Sequence, residues 1–250
     1  MSTQFPTAEP KPRRTGAARA VAVAVGLFLA GFLANLAFGL AVALPLVFVG
    51  LALTGGAVLV ALTAAGQLGF AAVGAVYLHR WLSGIPVRRP TRADLRTAGG
   101  YTVAVLLVAV AFTAVSQYLP IEPTSTVLSD AVVADPRLLV VFAVLSILLV
   151  APAEELLFRG AIQGRLRRTF GPVAAVVGAG LLFAALHVLN FGTLNSGAAV
   201  ALVAIFTVGC LLGWAYERTE NLVVPVVIHA LYNSVLFVGT YVVYLFTGSL

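Results

Sequence analysis

The chain has 250 residues, of which 61% are hydrophobic and 10% charged, against about 45–50% and about 25% in an ordinary soluble domain. No charged residue or histidine occurs from Ala20 to Leu78. As helix that run would extend about 88 Å, enough for two crossings of a hydrocarbon core about 30 Å thick. A soluble domain is thereby excluded. The formal net charge of +6 is broken into short clusters between apolar runs, which excludes a continuous nucleic-acid-binding face and suits contact with anionic lipid.

The first 19 residues are mostly polar, carry Lys11, Arg13, Arg14 and Arg19, and read as a disordered basic tail. The apolar run behind them is too long for the core of a cleaved signal peptide. Gly55-Gly56 predicts a turn between spans at 21–51 and 57–78, with Pro45 a candidate kink in the first. Arg80, Arg88, Arg89, Arg92 and Arg96 crowd the connection 79–98, ahead of a third span at 99–118. The loop that follows is acidic, with Glu122, Asp130 and Asp135. A fourth span is expected at 138–157, then Arg165, Arg167 and Arg168, a fifth span at 173–189 and an uncharged connection to Ser196. Spans six (197–216) and seven (ending near Leu245) flank a short polar loop at 217–221.

The expected fold is an all-α transmembrane bundle of about seven spans, or eight if 21–78 hides one more. A transmembrane β-barrel is excluded because the apolar segments are continuous rather than alternating. Three regions are expected: the tail 1–19, the amino-terminal spans with their Arg-rich connection (20–98), and a core at 99–250 that carries the polar motifs. On alternate sides of such a bundle, all basic residues but Arg137 fall together. The positive-inside rule then puts the amino terminus in the cytoplasm, in a membrane that the arginine-rich composition suggests is prokaryotic. Cys210, the lone cysteine, reads as a small packing residue.

Three helices carry groups that a membrane normally excludes. The fourth continues from Pro152 into Glu154-Glu155 and Arg159; the fifth holds Phe183 and His187; the seventh holds His229 and Asn233. Each acid or base placed mid-membrane opposes insertion by about 2.5–3.5 kcal/mol, so such groups pair or work. Glu155/Arg159, Phe183/His187 and His229/Asn233 are spaced i, i+4 and each shares a helix face. If spans four and five form a hairpin turning near Phe170-Gly171-Pro172, Glu154 and His187 lie at one level. A carboxylate in a dry site is a better base than in water; beside an imidazole it can activate a water, while a second histidine and an amide donate to the oxyanion. Glu154, His187 and His229 are also ligand types suited to a zinc ion with one open position. Both routes hydrolyse an amide.

Glu154-Glu155-x-x-x-Arg159, Phe183-x-x-x-His187 and His229-x-x-x-Asn233, in that order on successive apolar helices, resemble the signature of the CPBP family, which includes the type II CAAX prenyl endopeptidases and the bacteriocin-processing, Abi-type membrane proteins. The resemblance covers roughly residues 138–240. It implies an intramembrane endopeptidase cutting a membrane-anchored protein or peptide near its membrane-embedded carboxyl end. Glu154 and His187 would activate the water, and His229 and Asn233 would stabilise the oxyanion. Glu155 and Arg159 would form a supporting pair, with Phe183 packed against the site. The partners implied are the bilayer and that substrate, with no nucleic acid and no certain cofactor. A transporter or proton relay, or a non-catalytic immunity-type scaffold, are the rival readings; the absence of an inverted repeat and of a broken-helix pair weighs against transport.

Overall fold

The computed structural model describes residues 14–249 apart from Ser83 and Leu119; residues 1–13 of the expected tail lie outside them. The described chain forms eight helices: α1 (Arg14–Phe48), α2 (Gly56–Trp81), α3 (Arg92–Tyr118), the short α4 (Ser129–Ala134), α5 (Leu138–Arg167), α6 (Pro172–His187), α7 (Ser196–Thr219) and α8 (Val223–Thr247). All but α4 are long and apolar enough to cross a membrane. The chain is an integral membrane protein of all-α class, with seven such helices and none to spare for an eighth crossing between residues 21 and 78. Among the described residues the one β-type contact is an isolated bridge between Thr126 and Phe191.

Helix ends run beyond the expected spans because helices continue past the hydrocarbon wherever local chemistry supports them. α1 begins at Arg14 rather than after residue 19, through an alanine-bearing stretch favourable to helix. The Arg-rich connection shrinks to residues 82–91. α3 starts early because Thr91 and Asp94 cap it reciprocally: the Asp94 N–H donates to Thr91 Oγ1 at 3.2 Å and the Thr91 N–H to Asp94 Oδ2 at 2.8 Å, a capping box with aspartate as its acid.

The largest extension is in α5, which runs ten residues past its expected end at 157. It is also not a plain α-helix. Ser146–Val150 and Leu156–Gln163 are wound as π-helix, with i→i+5 hydrogen bonds such as that from the Ala151 N–H to Ser146 O. The first π turn stands immediately before Pro152, which has no N–H to donate and crowds the carbonyl four residues back. Widened turns of this kind cluster at functional sites.

α5 is the central helix. Half of its apolar window is buried inside the protein, against 11–33% for the six other spans. α1 and α2 pack antiparallel as a pair against its second half; α6 fills the space between α5 and α7; α3 covers α7 and α8; and α8 lies along its first half. Glycines set the closest approaches. A Cβ on Gly69 of α2 would fall 2.6 Å from the Ala34 backbone of α1, and one on Gly160 of α5 would meet Leu78 of α2 at 2.9 Å. Gly164 meets Leu82 in the same seam, so the Gly160/Gly164 pair serves the close helix contact expected of small residues four apart.

The connections sort to two ends of the bundle. At one end the loop after α2 meets the α7–α8 turn: Arg88 Nη2 donates to Thr219 O at 2.8 Å, Asn221 Nδ2 to Arg88 O at 3.1 Å, and the Leu222 N–H to Pro86 O at 2.9 Å. At the other end Asn195 Nδ2 donates to Pro123 O at 2.8 Å, tying the acidic loop to the connection before α7. The arginine clusters at 80–92 and 165–168 share the first end.

Candidate active site

Adjacent residues on a helix point about 100° apart and do not face each other. Glu154 and Glu155 therefore look from α5 toward different neighbours, and each finds a separate partner. Glu155 is fully buried and bridges two cations or potential cations. Its Oε1 lies 2.8 Å from His229 Nδ1 on α8, and its Oε2 lies 2.9 Å from Arg159 Nε, one turn further along α5. Arg159 is fully buried as well, with its guanidinium carbon 4.8 Å from the centre of the Phe183 ring. Among the described residues none of its nitrogens finds a well-aligned hydrogen bond, so proximity of charge and the aromatic face hold it. The i, i+4 pair expected from the sequence is present, but it belongs to a three-membered cluster that reaches a second helix.

Phe183 is the hub of the remaining contacts. Its ring stands edge-on to Phe158 at 5.2 Å and to His229 at 5.8 Å, and tilted against His187 at 4.7 Å. His187 Nδ1 lies 2.8 Å from the Phe183 carbonyl oxygen. A carbonyl only accepts, so Nδ1 carries the proton, and in the neutral ring Nε2 is left as an acceptor. His229 differs, because Glu155 accepts from Nδ1 whether the ring is neutral or charged; only as the imidazolium can His229 also donate from Nε2.

Asn233 is held on its own side by Ser146, whose Oγ accepts from Asn233 Nδ2 at 2.9 Å. Ser146 is buried in the first π turn. Phe183, His187, His229, Tyr232 and Asn233 together line a small cavity of about 40 Å³ closed by Ile205 and Val208, on the scale of a single water.

Glu154 does not line that cavity. Its Oε1 accepts from Gln67 Nε2 on α2 at 3.0 Å, and among the described residues no donor reaches its buried Oε2. Among the described residues no hydrogen bond joins Glu154 to His187. The level match counted from the sequence assumed uniform α-helix, and the π winding of Leu156–Gln163 intervenes between Glu154 and the hairpin tip. Glu154, His187 and His229 likewise do not form the zinc set that their residue types suited: among the described residues no three His, Cys, Asp or Glu side chains converge as metal ligands. The donor set therefore does not fit a zinc ion.

Two members of this arrangement escaped the sequence analysis. Gln67 stands in the long uncharged stretch, and it shares a face of α2 with Gly74, seven residues on, whose Cβ position meets the Leu156 backbone at 3.1 Å. An amide on the face where a glycine lets two helices touch is a recognisable signal for a buried partner. Ser146, the one polar residue in the run Leu138–Val150, is its equivalent for Asn233.

Residues 136–235 match the family model described as Type II CAAX prenyl endopeptidase Rce1-like. The matched stretch opens just before α5 and ends inside α8, so it contains all seven motif residues and leaves α1, α2 and Gln67 outside. Over this region the resemblance to the CPBP family holds, and it supports a membrane protease of the CAAX type. No curated protein and no solved structure matches the chain.

Proposed function

We propose that the protein is an endopeptidase that cleaves a membrane-anchored substrate near its carboxyl end, using a water activated by Glu154 rather than a metal-bound one. The observation that carries this reading is the asymmetric state of the Glu154 carboxylate. One oxygen is fixed by Gln67, and the other is buried with no donor among the described residues, as suits a base that holds and deprotonates a water.

The water oxygen attacks the carbonyl carbon of the scissile amide as its proton passes to Glu154 Oε2. His187, through the free acceptor at Nε2, orients that water. The oxyanion that forms is met by donors from His229 Nε2 and Asn233 Nδ2, with Glu155 holding His229 and Ser146 holding Asn233. Collapse breaks the C–N bond, and the proton on Glu154 moves to the departing amine. Preorganised donors of this type account for about 10²–10³ in rate each. The arginine-rich end faces the cytoplasm in this reading, and the substrate enters from there and from the bilayer. No step passes through a metal.

The experiment is cleavage of a synthetic peptide with a lipid-modified cysteine fourth from its carboxyl terminus, in liposomes containing the purified protein. Release of the terminal tripeptide is expected, and an unlipidated peptide should be cut more slowly. Absence of cleavage together with protein-dependent movement of protons across the liposome wall would favour the relay reading instead.

Gln67→Leu should lower turnover about 10- to 100-fold at nearly unchanged substrate affinity, since a carboxylate left without its fixing donor loses about 1–3 kcal/mol of support. Gln67→Glu should not restore it, because a second carboxylate cannot donate. A Gln67→Leu protein with wild-type turnover would remove Gln67 from the account.

A further inference from the structure

A second cavity, of about 760 Å³, opens between α1, α2 and the tip of α5 at the arginine-rich end of the bundle, apart from the motif residues. Arg19 of α1 and Arg165 and Arg168 at the end of α5 bring three guanidinium groups to it, and Thr169 adds a hydroxyl. Among the described residues no carboxylate lines it. Like Arg80, Arg89, Arg92, Arg96 and Arg218, these three arginines make no ion pair among the described residues; what sets them apart is that they gather at one cavity. Two of the three are nonetheless oriented by neutral acceptors: Arg168 Nη1 donates to Trp81 O at 2.9 Å and Arg165 Nη1 to Thr169 Oγ1 at 3.2 Å.

The wall below the charges is apolar and aromatic. Tyr77 and Trp81, one turn apart on α2, stack at 5.4 Å; amphipathic rings of this kind sit at the level of lipid headgroups. On α1 the lining continues to Gly26 and Leu27, eight residues beyond Arg19 and so about 12 Å deeper along the helix. Leu27 belongs to the buried core. A site with cations at the membrane surface and an apolar floor at that depth is matched to a ligand of the same polarity, anionic at one end and hydrocarbon at the other.

We propose that this cavity binds the phosphate of an anionic phospholipid, with the upper acyl chain lying against α1 and α2. Basic pockets between membrane helices bind lipid headgroups in this manner. The inference stands independently of the proteolytic reading.

The test uses the full chain with Trp214→Phe, which leaves Trp81 as the sole tryptophan of the two in the sequence. In bilayers of brominated phosphatidylcholine the Trp81 emission is quenched, and unbrominated phosphatidylglycerol should relieve that quenching by displacing lipid from the cavity. At about fivefold per arginine near the surface, phosphatidylglycerol should be preferred over phosphatidylcholine by about a hundredfold. The Arg165→Gln/Arg168→Gln double variant should retain about fivefold. Arg89→Gln/Arg92→Gln, which removes the same charge outside the cavity, should leave the preference intact. Gly26→Leu tests the cavity without touching a charge. Among the described residues nothing lies within 4 Å of the Cβ position, so a larger side chain has open space to enter and should reduce the preference by filling it. Equal binding of the two lipids, an equal fall in the control variant, or an unchanged preference in Gly26→Leu would overturn the proposal. Loss of the preference in millimolar inorganic phosphate would overturn it too, by showing that free phosphate is the ligand.

Discussion

Glu154→Gln should lower peptide-bond cleavage by about 10²–10⁴-fold, the range expected when a positioned base is removed, while the protein stays folded. The substitution preserves shape, and the glutamine can turn its amide oxygen to accept from Gln67 Nε2 as Glu154 Oε1 does at 3.0 Å. What it loses is an atom able to take a proton from water. Turnover should fall with the midpoint of thermal unfolding unchanged to within a few degrees. Glu122→Gln, in the loop at the opposite end of the bundle from the arginine clusters, should alter neither quantity. A Glu154→Gln protein that cleaves at the wild-type rate would remove Glu154 as the base.

The second large effect is on stability. Arg159→Met should destabilise the protein by about 3–5 kcal/mol, because it strands the Glu155 carboxylate in a wholly buried position. Arg159 Nε is the cation at 2.9 Å from Glu155 Oε2, and both side chains are fully buried. His229 would be left as the sole partner of that carboxylate. Neutralising the acid as well, in Glu155→Gln/Arg159→Met, should recover part of the loss, since a neutral amide is cheaper to bury than an unpaired charge. Thermal unfolding in detergent reads both variants. If the single variant is as stable as the wild type, the cluster is not the electrostatic unit described above; a double variant no better than the single would assign the loss to packing on Phe183.

The fold was readable from the sequence to a large extent. Apolar runs divided by charge clusters, by the Gly55-Gly56 turn and by the uncharged connection before Ser196 gave seven spans, because hydropathy directly reports the demand of the bilayer that every backbone polar group be satisfied within its own segment. Helix ends were less accessible. The start of α3 depends on a reciprocal cap between Thr91 and Asp94, and the end of α5 on ten residues that project beyond the apolar run.

At the candidate site, residue types were visible but their pairings were not. Glu155 and Arg159 sit four apart on one chain, so their contact follows from helix geometry alone. The contact of Glu155 with His229 and that of Glu154 with Gln67 cross between helices 74 and 87 positions apart in the sequence. Which carboxylate faces which helix depends on the rotation of α5 about its axis, and the π turns at Ser146–Val150 and Leu156–Gln163 set that rotation. A count made in α-helical turns cannot anticipate it. The level match assumed between Glu154 and His187 rested on such a count, and among the described residues their hydrogen bonds go elsewhere, to Gln67 and to the Phe183 carbonyl.

The central claim is that a water activated by Glu154 is the nucleophile. It is tested most directly by a single turnover of the lipid-modified peptide in ¹⁸O-labelled water, with the wild-type protein and the Glu154→Gln variant run side by side. The account predicts one labelled oxygen in the new carboxylate of the lipidated fragment for the wild type, and no product from the variant. Unlabelled oxygen in that carboxylate on the first turnover, which would mean transfer from an enzyme side chain, or labelled product from Glu154→Gln at the wild-type rate, would contradict it.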